Sequence, residues 1–435
     1  MNWRRVIQLA FVHVGVSITV VPVTSTLNRI MIADMDMPAL LVSFFVSLPY
    51  LLSPLQVWIG AWADRNPIAG RHRSPWIVLG GLMASFGGYL TAHAVYLLHR
   101  DAGWGALAAV GSFVVWGLGV NIASVSYLSL LSELSSDTGA WRSRAVSIMW
   151  TAMILGAIAT GLGLAALLDP FSQEALFNAL GLVWLIASTL VLVGAANLEP
   201  ARAERGAVQH SADHPGLAYR ILAGNPSARR FFIYLLLVLI AIHAQDVLLE
   251  PYGAEVLGLP IAQTTRLSSI WGVGLLLTLV GGLPVVRRFG KRRAAIWGAL
   301  LAAAAFAAII VAGLAHLPAF FMVAVFSLGL GGGLMTVSNL SFMLDMTVPE
   351  AAGLYMGAWG VANFSGQALG NLASGLVRDV VFRLTAIPAA GYSAVFVFEI
   401  VGLLVALWLF RRISVEEFQR DARLQLHDVL ALAGH

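Results

Sequence analysis

The chain has 435 residues, 59% hydrophobic and 11% charged, with a formal net charge of +4. A soluble globular protein keeps about a quarter of its residues charged, so there is too little polar sequence here to clothe a water-soluble fold. The positive charge is almost all arginine, 25 of 26 basic residues, and is scattered through short segments, which argues against a nucleic-acid partner; the lack of cysteine excludes disulfides and thiolate metal sites.

Apolar runs long enough to cross a hydrocarbon core of about 30 Å predict twelve spanning helices, helix 1 to helix 12, near 6–28, 38–62, 75–98, 105–133, 144–167, 176–196, 231–250, 264–286, 294–313, 319–344, 356–379 and 393–410. The start, Met1 to Arg5 and then an apolar run, is too long for a signal peptide and lacks a small-residue cleavage site, so an uncleaved first helix is expected. With the N-terminus inside, 21 basic residues fall on the cytoplasmic side; five fall outside, namely Arg29, Arg100, Arg266, Arg378 and Arg383. That bias predicts both termini in the cytoplasm. The expected organisation is a six-helix half over 1–196, a polar cytoplasmic linker over 197–230, a second half over 231–412 and a cytoplasmic tail over 413–435. The tail opens on Ser414-Val-Glu-Glu417, a capping box. Phe418, Ala422, Leu426, Val429 and Leu430 then follow at helical spacing, which suits an amphipathic helix on the membrane surface.

The halves carry an internal repeat. Helix 4 contains Gly117-Leu-Gly119, Ser124-Val-Ser126, Ser129 and Glu133; helix 10 contains Gly329-Leu-Gly331, Thr336-Val-Ser338, Ser341 and Asp345, at a constant offset of 212 residues. Small residues permit close helix packing. Ser126, Ser129 and Glu133, like Ser338, Ser341 and Asp345, form one polar stripe, joined on helix 4 by Asn121, and such a stripe should face protein or water rather than lipid. The loops carry a second echo. After helix 2 the chain reads Gly60-Ala-Trp-Ala-Asp64-Arg65 and then Gly70-Arg-His-Arg73; after helix 8 it reads Arg287-Arg-Phe-Gly290-Lys-Arg-Arg293. The first loop resembles the signature loop of the major facilitator superfamily, with three extra residues before its second glycine. The resemblance implies that superfamily's all-α membrane fold, twelve helices in two six-helix pseudo-repeats. Asp64 and Arg65 are the candidate cytoplasmic latch, against the alternative of a basic loop that only sets topology.

Chemistry concentrates at the end of helix 7, Gln245-Asp246-Val-Leu-Leu-Glu250-Pro251-Tyr252. An intramembrane carboxylate is costly unless paired and is a functional candidate by default. Arg29, after Asn28 at the outer end of helix 1, is expected to pair with Asp246 or Glu250 and tie the halves together; the alternative pairs Asp246 with Arg266 and leaves Glu250 solvated. Glu399 of helix 12 is a further intramembrane acid with no partner to name. Of the histidines in spans, His13, His93 and His243, a neutral imidazole could bind a metal such as the magnesium of a chlorin. His243 is the leading candidate, although a hydrogen-bonded structural role is the commoner fate of each. No Walker loop, H-E-x-x-H or Rossmann glycine pattern occurs, so neither ATP hydrolysis nor covalent catalysis is expected.

Leu27-Asn28-Arg29 with Met31 and Pro38-Ala39, Gln245 through Gly253 with Val256-Leu-Gly258, Gly357-Ala-Trp-Gly360, Arg378-Asp379, and Gly391-Tyr-Ser393 with Glu399-Ile400 resemble the PucC/LhaA proteins, the bacteriochlorophyll-delivery branch of the major facilitator superfamily. The resemblance runs from about residue 24 to 400. It implies a non-enzymatic protein of the bacterial photosynthetic inner membrane that assists light-harvesting assembly, holding or handing over bacteriochlorophyll, with antenna polypeptides, the reaction centre and membrane lipids as partners. His243 and His13 are then the candidate pigment ligands. The chain departs from the pattern at Asn121, where many relatives carry His, at Glu133, where they carry Asp, and at Arg266 in a stretch usually uncharged. Competing expectations are a proton-coupled transporter of a small solute, using acids such as Asp246, Glu133 or Asp345, and a pigment-free scaffold for antenna subunits.

Overall fold

In hydrocarbon a backbone can satisfy its amides and carbonyls only internally, so these apolar runs become helices. The computed structural model describes residues 3–134, 139–199, 225–347 and 352–422, and no strand occurs among them. Helix 1 is Trp3–Ser17 continued by π-helical turns at Pro22–Leu27 and Ile30–Asp34, and helix 2 is Ala39–Leu51 followed by Leu55–Arg65. Helices 3 to 6 are Ser74–Arg100, Ala102–Leu134, Gly139–Leu167 and Gln173–Ala195. Helix 7 is Pro226–His243, a 3-10 turn at Ala244–Val247 and a short helix Leu249–Glu255; helices 8 to 12 are Ile261–Phe289, Lys291–Leu314, Pro318–Asp345, Ala352–Thr385 and Pro388–Phe410. Eleven of the twelve have the length and hydropathy of membrane spans among the described residues. Helix 11 is more polar, carrying Asn363, Ser365, Gln367, Asn371 and Ser374 along its middle. The chain is therefore an all-helical, multi-pass membrane protein. Several helices outrun their predicted ends because one residue makes the turn: Asp101 alone joins helices 3 and 4, and Gly290 alone joins helices 8 and 9.

Both ends of the described chain lie at one face of the bundle, called here the terminal face. Three helices break on their way to the other. In helix 1 the backbone widens so that Asn28 N–H donates to Val23 O and Met35 N–H to Ile30 O, five residues back. In helix 7 Pro251 has no N–H and cannot bond Val247 O, its partner in a regular helix. That carbonyl instead accepts from Asn28 Nδ2 at 3.0 Å. In helix 2 the turn at Leu52–Pro54 sends Ser53 N–H to Tyr50 O, and Pro49 O accepts from Asn121 Nδ2 of helix 4 at 2.8 Å. Two carbonyls freed near prolines are thus each met by an asparagine of a neighbouring helix.

The repeat is visible in packing. A Cβ on Gly119 would stand 2.2 Å from Ala84 N in helix 3, and one on Gly331 would stand 2.8 Å from Ala302 N in helix 9. Each half therefore presses its fourth helix on its third through a glycine. The seam between halves runs along helices 2 and 11 and helices 5 and 8. Ser269 Oγ donates to Ile158 O at 2.9 Å, and Thr26 and Thr265 hydroxyls meet at 3.2 Å. At Gly375 a Cβ would lie 2.7 Å from Ala39 O, so helix 11 can touch helix 2 only there without a side chain. All these contacts lie away from the terminal face. Toward it the same helices are exposed, with Trp58 77%, Val280 64% and Val361 58% accessible.

The tail departs from expectation. Its first turns pack on protein rather than lying on lipid: Phe418 and Ala422 are buried, the Phe418 ring sits 5.2 Å from that of Tyr355, and Asn225 Nδ2 donates to Phe418 O. The capping contact is present, Glu417 N–H to Ser414 Oγ at 3.2 Å. Leu426, Val429 and Leu430, and most of the expected linker, lie outside the described residues.

Candidate functional site

The break in helix 7 gathers the polar groups. Ending the helix at His243 and rewinding as a 3-10 turn brings residues three apart together, so His243 Nδ1 meets Asp246 Oδ2 at 2.7 Å, and Gln245 Nε2 donates to Asp246 Oδ1 at 2.6 Å. Both the His243 and Asp246 side chains are about a quarter exposed, 24% and 27%. One turn on, Glu250 is buried; its Oε1 accepts from Ser268 Oγ of helix 8 at 3.0 Å, while Oε2 has no hydrogen-bond partner. Glu399 is fully buried behind the break with both carboxyl oxygens unpartnered. An unpaired ionised carboxylate in so dry a place is prohibitively costly.

The pairing expected for Arg29 is not made. Arg29 bonds Asp34 on its own helix, so neither Asp246 nor Glu250 is its partner, and Arg266 is exposed and does not serve Asp246 either. The reason is the π winding: in an α-helix neighbours are three and four residues apart, whereas i to i+5 contacts bring Arg29 over Asp34. The tie between halves exists nonetheless, and Asn28 makes it through Val247 O. Tyr252 stands apart from this cluster. It is buried in the second half, its hydroxyl on Ile309 O at 2.8 Å and its ring among Phe321, Tyr392 and Phe396.

A second cluster, away from the terminal face, closes the seam. Helix 2 begins at Ala39 with Pro38 before it, which offers no side-chain cap. Asp379 of helix 11 supplies the cap from the other half, Oδ1 accepting from Ala39 N and Oδ2 from Leu40 N, both at 3.0 Å. Arg378 holds that carboxylate from behind at 3.2 Å and bonds both oxygens of Glu255 at 3.2 and 3.0 Å. Arg378-Asp379 stood in the sequence as part of a resemblance, but nothing in its spacing pointed to a cap on helix 2.

At the terminal face the expected latch has a different cation. Asp64 pairs with Arg73 at 2.6 Å, and Arg73 also meets Glu133 at 3.0 Å; Arg65 is exposed, since residues adjacent on a helix point apart. The second half repeats the device, with Lys291, the chain's single lysine, bonded to Asp345. The acids of both stripes therefore anchor helices within their own half. Ser126 and Ser338 are buried, and Ser129 and Ser341 half-buried, with Ser338 and Ser341 bonding carbonyls of their own helix. His13 is buried, its ring packed against those of Tyr127 and Trp150 at 5.1 and 6.1 Å.

Glu199, at the start of the expected linker, caps helix 3 by accepting from His72, Arg73 and Ser74 N–H at 2.8–2.9 Å. Burial works to raise its carboxyl, but these donors outweigh it and hold the group below its usual value. The stability it contributes is full above the ordinary glutamate value of about 4.3 and is lost as pH falls through the depressed folded value. The melting temperature of the wild type should therefore exceed that of Glu199→Gln by a constant margin between about pH 6 and 8, a margin that closes on acidification below about pH 4. A margin that widens with acid would contradict this.

The family model for the PUCC protein matches residues 26–418. The chain belongs to the PUCC family. It is 29% identical over 423 residues to Protein PucC of Rhodobacter capsulatus, covering 93% of this chain and 90% of the relative. It is 30% identical over 412 residues to a protein of the same species named bacteriochlorophyll synthase 44.5 kDa chain, covering 91% and 92%. Among solved structures, a mutant form of the nucleoside transporter NupG superposes with a TM-score of 0.74 at 14% identity, over 94% of this chain and 99% of NupG. A bacterial homologue of the lysosomal transporter Spinster, inward-facing and unoccupied, does so with a TM-score of 0.70 at 14% identity, over 97% and 99%. The likenesses to solved structures give the fold alone, a major-facilitator-type arrangement of twelve helices in two six-helix pseudo-repeats, and one relative's name refers to bacteriochlorophyll.

Proposed function

We propose that this PUCC-family protein is a non-enzymatic assembly factor for light-harvesting complexes that carries bacteriochlorophyll at the helix 7 break and passes it to antenna polypeptides in the photosynthetic membrane, its terminal face in the cytoplasm. The observation that carries the reading is the His243–Asp246 pair. A carboxylate on Nδ1 fixes the imidazole tautomer and orientation and leaves Nε2 as the free nitrogen, the arrangement by which proteins ready a histidine for a metal. Gln245 steadies the carboxylate from its other oxygen. The residues present thus fit a chlorin magnesium, which His243 would hold while the apolar helices around it exclude water from the macrocycle.

Purification in mild detergent tests this. Wild-type protein should co-elute with bacteriochlorophyll, His243→Leu should lose it, and Asp246→Asn should retain it about 10- to 100-fold more weakly, the usual cost of a lost orienting partner. Antenna subunits without pigment would instead identify a scaffold. A second reading, a proton-coupled transporter, draws support from the seam that is closed at one face and exposed at the other, together with the buried acids Glu250 and Glu399. Solute uptake by vesicles driven by a pH gradient, with no pigment bound, would establish that reading and overturn the first.

A further inference from the structure

At the terminal face the chain makes the same move twice. Past helix 6 it turns back over its own half. Gln8 Nε2 of helix 1 donates to Ala196 O at 2.8 Å, and Leu198 is buried in one apolar cluster with Val6 and Leu9 of helix 1. Glu199 then accepts the amides that open helix 3. Past helix 12 the chain turns back again. Arg292, the second residue of helix 9, donates through Nη2 to the carbonyls of Phe410, Arg411 and Ile413 at 2.8, 2.9 and 3.3 Å. Asn225, the N-cap of helix 7, donates to Phe418 O at 3.3 Å. Helices 1 and 7 are the first of each half, and helices 3 and 9 are the third. Both returning segments therefore fasten the end of a half to the same two members.

The chemistry of the two joints differs although their place does not. In the first, a carboxylate holds main-chain amides; in the second, a guanidinium holds main-chain carbonyls. Each joint also reaches further. His72 bonds Asp64 O of helix 2 through Nδ1 at 3.1 Å. Gln419 Nε2 donates to Asp345 O at the end of helix 10 at 3.3 Å, and the Phe418 ring packs on that of Tyr355 near the start of helix 11. These helix ends lie where the seam is open, and helix ends without such support fray. In folds built of repeats, motion is largely rigid-body movement of one repeat against the other, which a half with loose ends transmits poorly. We propose that the two segments are matched clasps, each binding the terminal-face ends of its own half so that the half moves as one body and change of shape is confined to the seam. The device is independent of the helix 7 break and of any cargo.

The absence of cysteine from the chain allows a reporter in each half of the full-length protein. Ser227, two residues past Asn225, is 2% exposed, and Val6 is 1% exposed. Labelling of Ser227→Cys and Val6→Cys by a water-soluble maleimide is timed in each background. Phe418→Ala should speed labelling of Ser227→Cys at least about tenfold, since a buried aromatic anchor is lost, and leave Val6→Cys unchanged. Leu198→Ala should do the reverse. Arg292→Gln removes the polar arm of the second clasp with Phe418 left in place; it should speed Ser227→Cys in the same direction and covers the case in which Phe418→Ala does not fold. Unchanged labelling of Ser227→Cys in both Phe418→Ala and Arg292→Gln overturns the proposal. Faster labelling of both reporters in any one variant also overturns it, because the halves would then loosen together rather than each by its own clasp.

Discussion

Replacing Asp379 with alanine is expected to open the seam at the face opposite the termini. The carboxylate accepts the first two free amides of helix 2 across the seam, and hydrogen bonds to a charged group are worth about 1.5–3 kcal/mol each. Losing both costs the closed state about 3 kcal/mol or more, roughly a hundredfold in the ratio of closed to open molecules. Arg378 keeps Glu255 in the variant, so the second half itself should stay folded. The chain has no cysteine, which makes a reporter simple: Ser43 is fully buried under this contact, beside Gly375. Ser43→Cys should resist a membrane-impermeant maleimide while Asp379 is present and react in the Asp379→Ala background. Asp379→Glu should fall between. Equal labelling rates in the two backgrounds would show that the cap does not hold the seam.

The second large effect is expected at Arg73. This side chain is 3% exposed and is shared by Asp64 and Glu133. Taking one partner from a buried ion cluster typically costs about 3–5 kcal/mol; both acids retain some exposure here, so the lower figure applies. Arg73→Gln should then lower the melting temperature by about 5–10 °C in detergent, while Arg65→Gln, at an exposed position, should melt like the wild type. Adding Asp64→Asn to Arg73→Gln should restore part of the loss, since the Asp64 charge that Arg73 neutralised is gone. A large effect of Arg65→Gln, or failure of the double variant to recover, would remove Arg73 from the centre of this cluster.

Helix number and the duplicated halves were legible because apolar runs and a constant offset are properties of residue order along the chain and need no knowledge of which residues touch. The polar core of helix 7 was legible too, since Gln245, Asp246 and Pro251 stand out in an apolar run. Partners were not. Arg29 was matched to distant acids because regular α-helical geometry separates it from Asp34, and no residue type announces a π turn. Asp64 and Arg65 stand together in the signature loop, but the loop folds Arg73 rather than Arg65 onto Asp64. Asp379 and Glu199 were missed as caps because each caps a helix remote in sequence, a fact that only the assembled bundle contains. The burial of Phe418 shows the same limit: its spacing marked an apolar face but not what that face would meet.

The seam joins side chains of one half to the main chain of the other: Asp379 to the amides of Ala39 and Leu40, Asn28 to Val247 O, Ser269 to Ile158 O. Thr26 with Thr265 joins two side chains. A main-chain atom is present whatever residue occupies the position, so mutation on the receiving helix rarely removes the bond. Each contact therefore depends on a single codon rather than on two that must change in concert. The two halves are free to drift apart in sequence, and the family is free to diversify, while the joint between them persists.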